Sequence, residues 1–152
     1  MHLRFIWPGK TKDERLRSLI NEYLKRVSRF ARCELTEVRE SRTRDANAVA
    51  KELRRILEAI PEGATVVLLD LEGKEWSSRE LADQLQRWEN DSIKELVIVI
   101  GGPDGFGTEI QSRAQVRWRM SRLTLTHEMA RVLALEQLYR AFAINRGLPY
   151  QK

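Results

Sequence analysis

Glu95-Leu96-Val97-Ile98-Val99-Ile100 runs without a break into Gly101-Gly102-Pro103-Asp104-Gly105-Phe106-Gly107. The apolar run has the length of a strand. It is continuous rather than alternating, the pattern of a strand covered on both faces, as in a parallel sheet. Four of the next seven residues are glycine, so backbone there can approach a ligand closely and adopt positive φ. In open α/β sheets, ligands lie beyond the carboxyl ends of the strands, where this turn falls. It has no Walker lysine and no Gly-x-Gly-x-x-Gly spacing, Pro103 removes an amide donor, and Asp104 repels phosphate. The turn suits a ligand without phosphates better than a nucleotide di- or triphosphate; a bare strand-to-helix turn is the alternative.

The pattern on either side agrees with that reading. His2 to Trp7 is a first strand stopped by Pro8-Gly9. Asp13-Glu14 open a helix with Leu16, Leu19, Ile20, Tyr23, Leu24 and Val27 at helical spacing. Cys33 to Val38 is a short second strand, and Glu40 to Asn47, with Arg39, Arg42 and Arg44, looks like a mobile basic loop. A helix from Ala46 to Ile60 ends at Pro61-Glu62-Gly63, and Ala64 to Leu71 is another buried run. Ser77 and Glu80 form a capping box for a helix carrying Leu81, Leu85 and Trp88. Thr108 and Gln111 are expected to cap a short helix, Val116 to Leu125 holds one more strand or extended stretch, and Thr126 starts a last helix to Asn145. Strands alternating with helices predict an α/β fold, a mostly parallel sheet flanked by helices.

The chain has 152 residues with a net charge of +5, 42% hydrophobic and 32% charged residues. A chain of this size buries roughly 70% of its unfolded surface, enough for one core, so residues 1–152 are expected to form a single domain. The longest apolar run is far short of the roughly 20 residues that span a bilayer. No signal peptide is expected, since the N-terminus has neither an apolar core nor a small-residue cleavage site. Cys33 is the only cysteine and no Cys/His group has zinc spacing; a reducing cytoplasm, no membrane and no metal are the expectation. Residues 1–50 carry a net +5, residues 51–100 a net −4 and residues 101–152 a net +4. Basic ends around an acidic middle suit a polyanionic partner, or simply solvated helix faces.

Three further regions hold candidate chemistry. Asp70 and Glu72, at the end of the Ala64–Leu71 strand, could balance a cationic ligand or be solvated turn residues. The stretch Trp118 to Glu128 fits neither a plain strand nor a plain helix, and its backbone could hydrogen-bond a purine edge; His127 opens the last helix, where the dipole favours neutral imidazole. That last helix is apolar on more than one face, so it is a core helix or also a subunit interface. Glu136 and Arg140 sit on it at i, i+4 and can pair.

Val97-Ile98-Val99-Ile100-Gly101-Gly102-Pro103-Asp104-Gly105, Leu123-Thr124-Leu125-Thr126-His127-Glu128-Met129-Ala130-Arg131, Glu136-Gln137-Leu138-Tyr139-Arg140-Ala141 and Gly147-Leu148-Pro149-Tyr150, in that order, resemble the ribosomal RNA large subunit methyltransferase H family. That family belongs to the SPOUT class of S-adenosylmethionine-dependent RNA methyltransferases. The likeness runs from Leu3-Arg4 to Lys152 and includes Leu69 to Lys74. It implies a SPOUT α/β fold with a deep C-terminal trefoil knot, a homodimer, and methylation of N3 of a pseudouridine in large-subunit ribosomal RNA on the assembled ribosome. It implies S-adenosylmethionine contacts at Leu69, Gly101, Gly102, Met120, Ser121, Arg122, Leu123, Thr124 and Leu125. The methyl already sits on a sulfonium, so no metal is required; alignment of nitrogen, methyl and sulfur and removal of the imide proton remain for the protein. Arg131, Tyr139, Arg140 and Tyr150 are candidates for holding RNA near the methyl, and His127 or bulk water for accepting the proton. Thr126 stands where the family commonly has proline, and Gln151 where its tail usually has histidine. Glutamine cannot act as a base near pH 7, so that histidine's role does not carry over. A non-catalytic RNA- or ribosome-binding module is the alternative; a Rossmann-type oxidoreductase lacks its fingerprint.

Overall fold

The computed structural model describes residues 1–150. Ten elements alternate: β1 (His2–Pro8), α1 (Glu14–Val27), β2 (Arg32–Val38), α2 (Ala46–Ala59), β3 (Thr65–Glu75), α3 (Ser78–Asn90), β4 (Glu95–Ile100), α4 (Gly107–Arg113), β5 (Val116–Arg119) and α5 (His127–Asn145). The strands form one sheet in the order β2-β1-β4-β3-β5, every pair parallel. Pleating sends alternate side chains of a strand to opposite faces, and the core divides accordingly. Leu3, Phe5, Trp7, Leu96, Ile98 and Ile100 pack with α1, α3 and α5 on one side. Ile6, Val66, Leu68, Val97 and Val99 pack with α2 and α4 on the other. Two covered faces explain why β3 and β4 read as unbroken apolar runs.

The helix starts follow local chemistry. The Asp13 carboxylate accepts from the Arg15 and Leu16 amides at 2.9 and 3.3 Å, and the Arg15 side chain beside it helps pull its pKa down to about 2. Ser77 and Glu80 close the capping box from both sides, at 3.1 and 2.7 Å. Thr126 Oγ1 accepts from the Met129 amide at 3.2 Å, so threonine at this position caps α5.

Three boundaries differ from the sequence reading. Thr108 and Gln111 do not cap α4: Phe106 stands at its N-cap without a side-chain bond, and positive φ at Gly105 and Gly107 turns the chain into the helix one residue earlier. Of Val116–Leu125, only Val116–Arg119 is strand. β3 continues past Leu71 to Glu75 through a register irregularity, so that both Leu69 and Lys74 pair with Trp118. Gly73 makes this doubling back feasible, since a Cβ there would lie 2.6 Å from the Arg117 carbonyl. The basic loop is also tied down: Ser41 N and Arg44 Nη2 donate to Glu52 at 2.9 and 3.2 Å, and Arg55 Nε donates to the Arg39 carbonyl at 2.8 Å.

Helix α5 buries Ala130, Arg131, Val132, Ala134, Leu135, Leu138, Ala141, Phe142 and Ala143 within the single chain. It lies against α1, α3 and the sheet. Its all-round apolar pattern is thus largely accounted for by this chain's own core.

Candidate active site

All strands are parallel, so their carboxyl ends share one edge of the sheet. The irregular stretch of β3 and the loops after β4 and β5 border a cavity of ≈ 760 Å³ there, in the range of small-molecule sites. Leu69 lines it from β3, Gly101 and Gly102 from the turn after β4, Met120, Ser121, Leu123, Thr124 and Leu125 from the segment after β5, and His127 from the first turn of α5. Arg122, on the same segment, is exposed and does not line the cavity. Loops far apart in sequence thus meet at one place because a parallel sheet delivers every βα connection to the same edge.

The lining fits a ligand that is part apolar and free of phosphate. Leu69, Leu71, Ile100, Leu125 and Ala130 supply apolar surface. At Gly102 an added Cβ would have only Pro8 Cγ within 4 Å, at 3.6 Å, so absence of a side chain there leaves room for a ligand rather than for protein packing. Gly101 differs: a Cβ there would fall 2.9 Å from the Phe106 ring.

Of the acids singled out in the sequence near these loops, two line the cavity and one does not. Asp104 points to Arg44 across the outside of the glycine turn and does not line the cavity. The carboxylates at the cavity are Asp70 and Glu72, and both face Arg117, at 2.7 and 3.6 Å. Arg117 sits within the stretch read as strand, and no spacing in the sequence marked it as Asp70's partner across a β3–β5 pairing. His127 titrates below its ordinary value, chiefly because partial burial disfavours the charged ring and secondarily because Arg131 is cationic.

The remaining candidates fall elsewhere. Arg131 is buried, donating to the Pro8 carbonyl at 2.7 Å and Thr11 Oγ1 at 3.0 Å, with its guanidinium 4.9 Å from the Trp7 ring. It braces the β1 end against α5 and is out of reach of a polyanion on the surface of the chain. Tyr139, Arg140 and Tyr150 do meet: Tyr150 stands edge-on to Tyr139 at 4.7 Å, beneath the Arg140 guanidinium at 4.7 Å. Tyr150 Oη donates to Glu136 at 2.8 Å, and Arg140 Nε donates to the same carboxylate at 3.1 Å. Burial, together with hydrogen bonds to Tyr23 and Glu136, pushes the Tyr150 phenol well above its ordinary value. This cluster sits three turns along α5 from His127, about 18 Å at 1.5 Å per residue, so one chain does not bring it to the cavity. Gln151 lies outside the described residues. Among the described residues no cluster of side chains could hold a metal, and no helix is long and apolar enough to cross a membrane.

A second hollow of ≈ 370 Å³ adjoins the first at Met120 and is lined by Trp76, Leu81, Trp118 and Leu133 among others. Trp76 stands 6.2 Å from Trp88 and 6.0 Å from Trp118, so three of the four tryptophans form one cluster beneath it.

Comparison with known proteins agrees with this geometry. Three relatives called ribosomal RNA large subunit methyltransferase H align over essentially their whole length. The one from Geobacter metallireducens is 40% identical over 151 residues, covering 99% of this chain and 98% of its own. The one from Gloeobacter violaceus is 40% identical with the same coverage. The one from Bifidobacterium animalis subsp. lactis is 38% identical with both chains covered in full. A family model described as "Predicted SPOUT methyltransferase" matches residues 1–151. With its parallel sheet and its cavity at the carboxyl edge, the chain belongs to the SPOUT methyltransferase family.

Proposed function

We propose that this protein transfers the methyl group of S-adenosylmethionine to N3 of a pseudouridine in large-subunit ribosomal RNA, on the assembled ribosome and in the cytoplasm. The observation that carries the reading is the cavity at the carboxyl edge, where Leu69, Gly101, Gly102, Met120, Ser121, Leu123, Thr124 and Leu125 gather around space that no side chain fills. The full-length relatives named for large-subunit ribosomal RNA supply the substrate class. When bound, S-adenosylmethionine supplies an activated methyl on a sulfonium. Gly102 would leave room for it, backbone groups of the 120–125 segment would hydrogen-bond its purine edge, and the apolar side chains of the lining would face its methyl. A nitrogen nucleophile must lose the imide proton before it attacks. His127, at the rim and favoured in its neutral form, and bulk water are the acceptors open to it.

Pairing of two copies and a deep C-terminal trefoil knot belong to the same proposal. The apolar hollow beside Trp76, Trp118 and Leu133 is a surface that a second copy would cover. Dimerisation would also explain why the Tyr139–Arg140–Tyr150 cluster stands away from the cavity of its own chain, since a partner's cluster could approach it. In that arrangement Tyr139, Arg140 and Tyr150 hold the RNA, while Arg131 supports the site from within.

The test mixes purified protein, labelled S-adenosylmethionine and ribosomes lacking the modification. Label in large-subunit RNA at pseudouridine N3 is expected. Cofactor binding by calorimetry with no transfer to ribosomes of a matched organism would sink the substrate assignment. Absence of cofactor binding as well would leave a non-catalytic ribosome-binding module. Light scattering in solution should give twice the chain mass.

A further inference from the structure

The sheet edge that carries the cavity has a second half. Order β2-β1-β4-β3-β5 puts the carboxyl ends of β1 and β2 directly beside that of β4, about 5 and 10 Å away at the usual strand spacing. The loops leaving those ends contain Lys10, Lys12, Arg39, Arg42 and Arg44. Acidic residues surround them, and nearly all are engaged internally. Asp13 and Asp45 cap α1 and α2. Glu128 accepts from the Lys12 and Asp13 amides at 3.0 and 3.2 Å. Glu52 is buried under Ser41 and Arg44, and Asp104 is held by Arg44. Glu37 accepts from the Trp7 indole at 3.1 Å, and Glu40 faces Lys12 at 3.5 Å. Lys10, Arg39 and Arg42 are exposed and have no ion pair among the described residues. The Arg55 bond to the Arg39 carbonyl and the Ser41–Glu52 bond hold the backbone from which the two arginines project. The Arg44–Asp104 pair joins this loop to the glycine turn of the cavity.

We infer that the loops after β1 and β2 form the track for the phosphate backbone of the substrate RNA, with Arg39, Arg42 and Lys10 as its cationic contacts. The inference rests on the methyltransferase reading above and places the RNA beside the cavity within the same chain. Neutralising phosphates releases counterions, so such contacts carry affinity without sequence preference and weaken steeply with salt. A target strand lying across β1 and β2 would present its base to the mouth of the cavity over the glycine turn. Arg44 is not one of the contacts: its guanidinium serves the loop, linking a backbone-binding surface to the wall of the cofactor site.

The experiment compares wild type with Arg39→Ala/Arg42→Ala and with a control, Arg29→Ala/Arg32→Ala, two arginines that are also exposed and without ion pairs among the described residues but lie at the opposite end of β2. Binding to a fluorescein-labelled single-stranded RNA is followed by anisotropy across a range of salt, and S-adenosylmethionine affinity is measured separately. The first pair should weaken RNA binding about tenfold and reduce the slope of log K against log salt by about 1.4, since each lost phosphate contact removes roughly 0.7 for single strands. Cofactor affinity and the control should match wild type. Equal loss in both pairs, no loss in the first, or no RNA binding by wild type would overturn the inference. So would tighter binding to poly-glutamate than to RNA, which would mark the surface as a docking site for an acidic protein. Anisotropy does not depend on turnover, so failure of methyl transfer counts against the proposed reaction and not against the track.

Discussion

Replacing Gly73 by alanine tests the packing that shapes one wall of the cavity. A Cβ at this position would lie 2.6 Å from both the carbonyl carbon and oxygen of Arg117, and 2.7 Å from the Trp118 nitrogen. All three are backbone atoms, so no rotamer change relieves the contact. Restoring an ordinary separation of about 3.4 Å moves β3 and β5 apart by about 0.8 Å at their crossing. Overpacking of this kind costs about 1–3 kcal/mol. The pairings it disturbs, Lys74 with Trp118 and Glu75 with Arg119, involve ladder hydrogen bonds worth about 1 kcal/mol each. The expected loss is therefore about 2–4 kcal/mol, a fall in melting temperature of roughly 5–15 °C for a chain of this size. Cofactor affinity should fall with it, because β5 leads into Met120 and Ser121. The control is Gly102→Ala, whose Cβ would meet only Pro8 Cγ at an ordinary 3.6 Å. It should melt within about 2 °C of wild type, as surface changes away from special features usually do. Thermal unfolding of both variants by circular dichroism decides the matter. Gly73→Ala melting with wild type, or both glycine variants losing the same stability, would refute the close-approach argument.

Other expectations come from the cavity and from α5. Gly102→Val should leave melting unchanged and lower S-adenosylmethionine affinity at least tenfold, about 1.4 kcal/mol, by calorimetry; undiminished affinity would make the glycine turn a turn only. Arg131→Met should cost about 3 kcal/mol, because the buried Pro8 carbonyl and Thr11 hydroxyl lose their donors; a melting temperature unchanged within error would remove Arg131 from the core bracing. His127 has a folded-state pKa below its ordinary 6.5, so below pH 6.5 the unfolded chain takes up the proton first. Stability should fall as pH drops from 6.5 towards the folded-state value and then level, and His127→Gln should remove that component. A difference between the two melting-temperature profiles that is flat or of opposite slope would contradict it.

Much of this fold was legible because its signals are local. Leu96–Ile100 and the capping residues Asp13, Ser77 and Thr126 each decide their own few residues, and the structure places helices and strands where they indicate. What escaped is what depends on pairing across the chain. Nothing within residues 64–75 says that β3 continues after Leu71, because its last pairings are with Trp118 and Arg119, more than forty residues on. Arg117 was unmarked for the same reason, since its role exists only beside Asp70. Arg131 misled because arginine is mostly exposed in folded proteins and so invites a surface role. Its helix position only shows itself as internal once Trp7, Pro8 and Thr11 are placed around it. The glycine turn was readable as a ligand loop, but Asp104's outward direction depends on Arg44, sixty residues earlier.

Those pairings also change the electrostatic argument for a cationic cofactor. Arg44 takes the Asp104 charge out of the cavity, whereas Asp70 and Glu72, the two acids read as able to balance a cationic ligand, do line it. What remains at the lining is Asp70 and Glu72 against Arg117, a net −1 as long as His127 is neutral. Partial burial first, and the neighbouring Arg131 charge second, favour the neutral ring. Protonating His127 would cancel that net charge. A chain of net +5 can thus hold a small negative pocket and an exposed cationic surface on one sheet edge. The partition follows from which acids are paired: those in and around the β1 and β2 loops are taken up by caps, amides, Lys12 and Arg44, and two of those at β3 share a single arginine. An acidic lining and a cationic surface then stand side by side, an arrangement that the proposed transfer from a sulfonium to RNA would use.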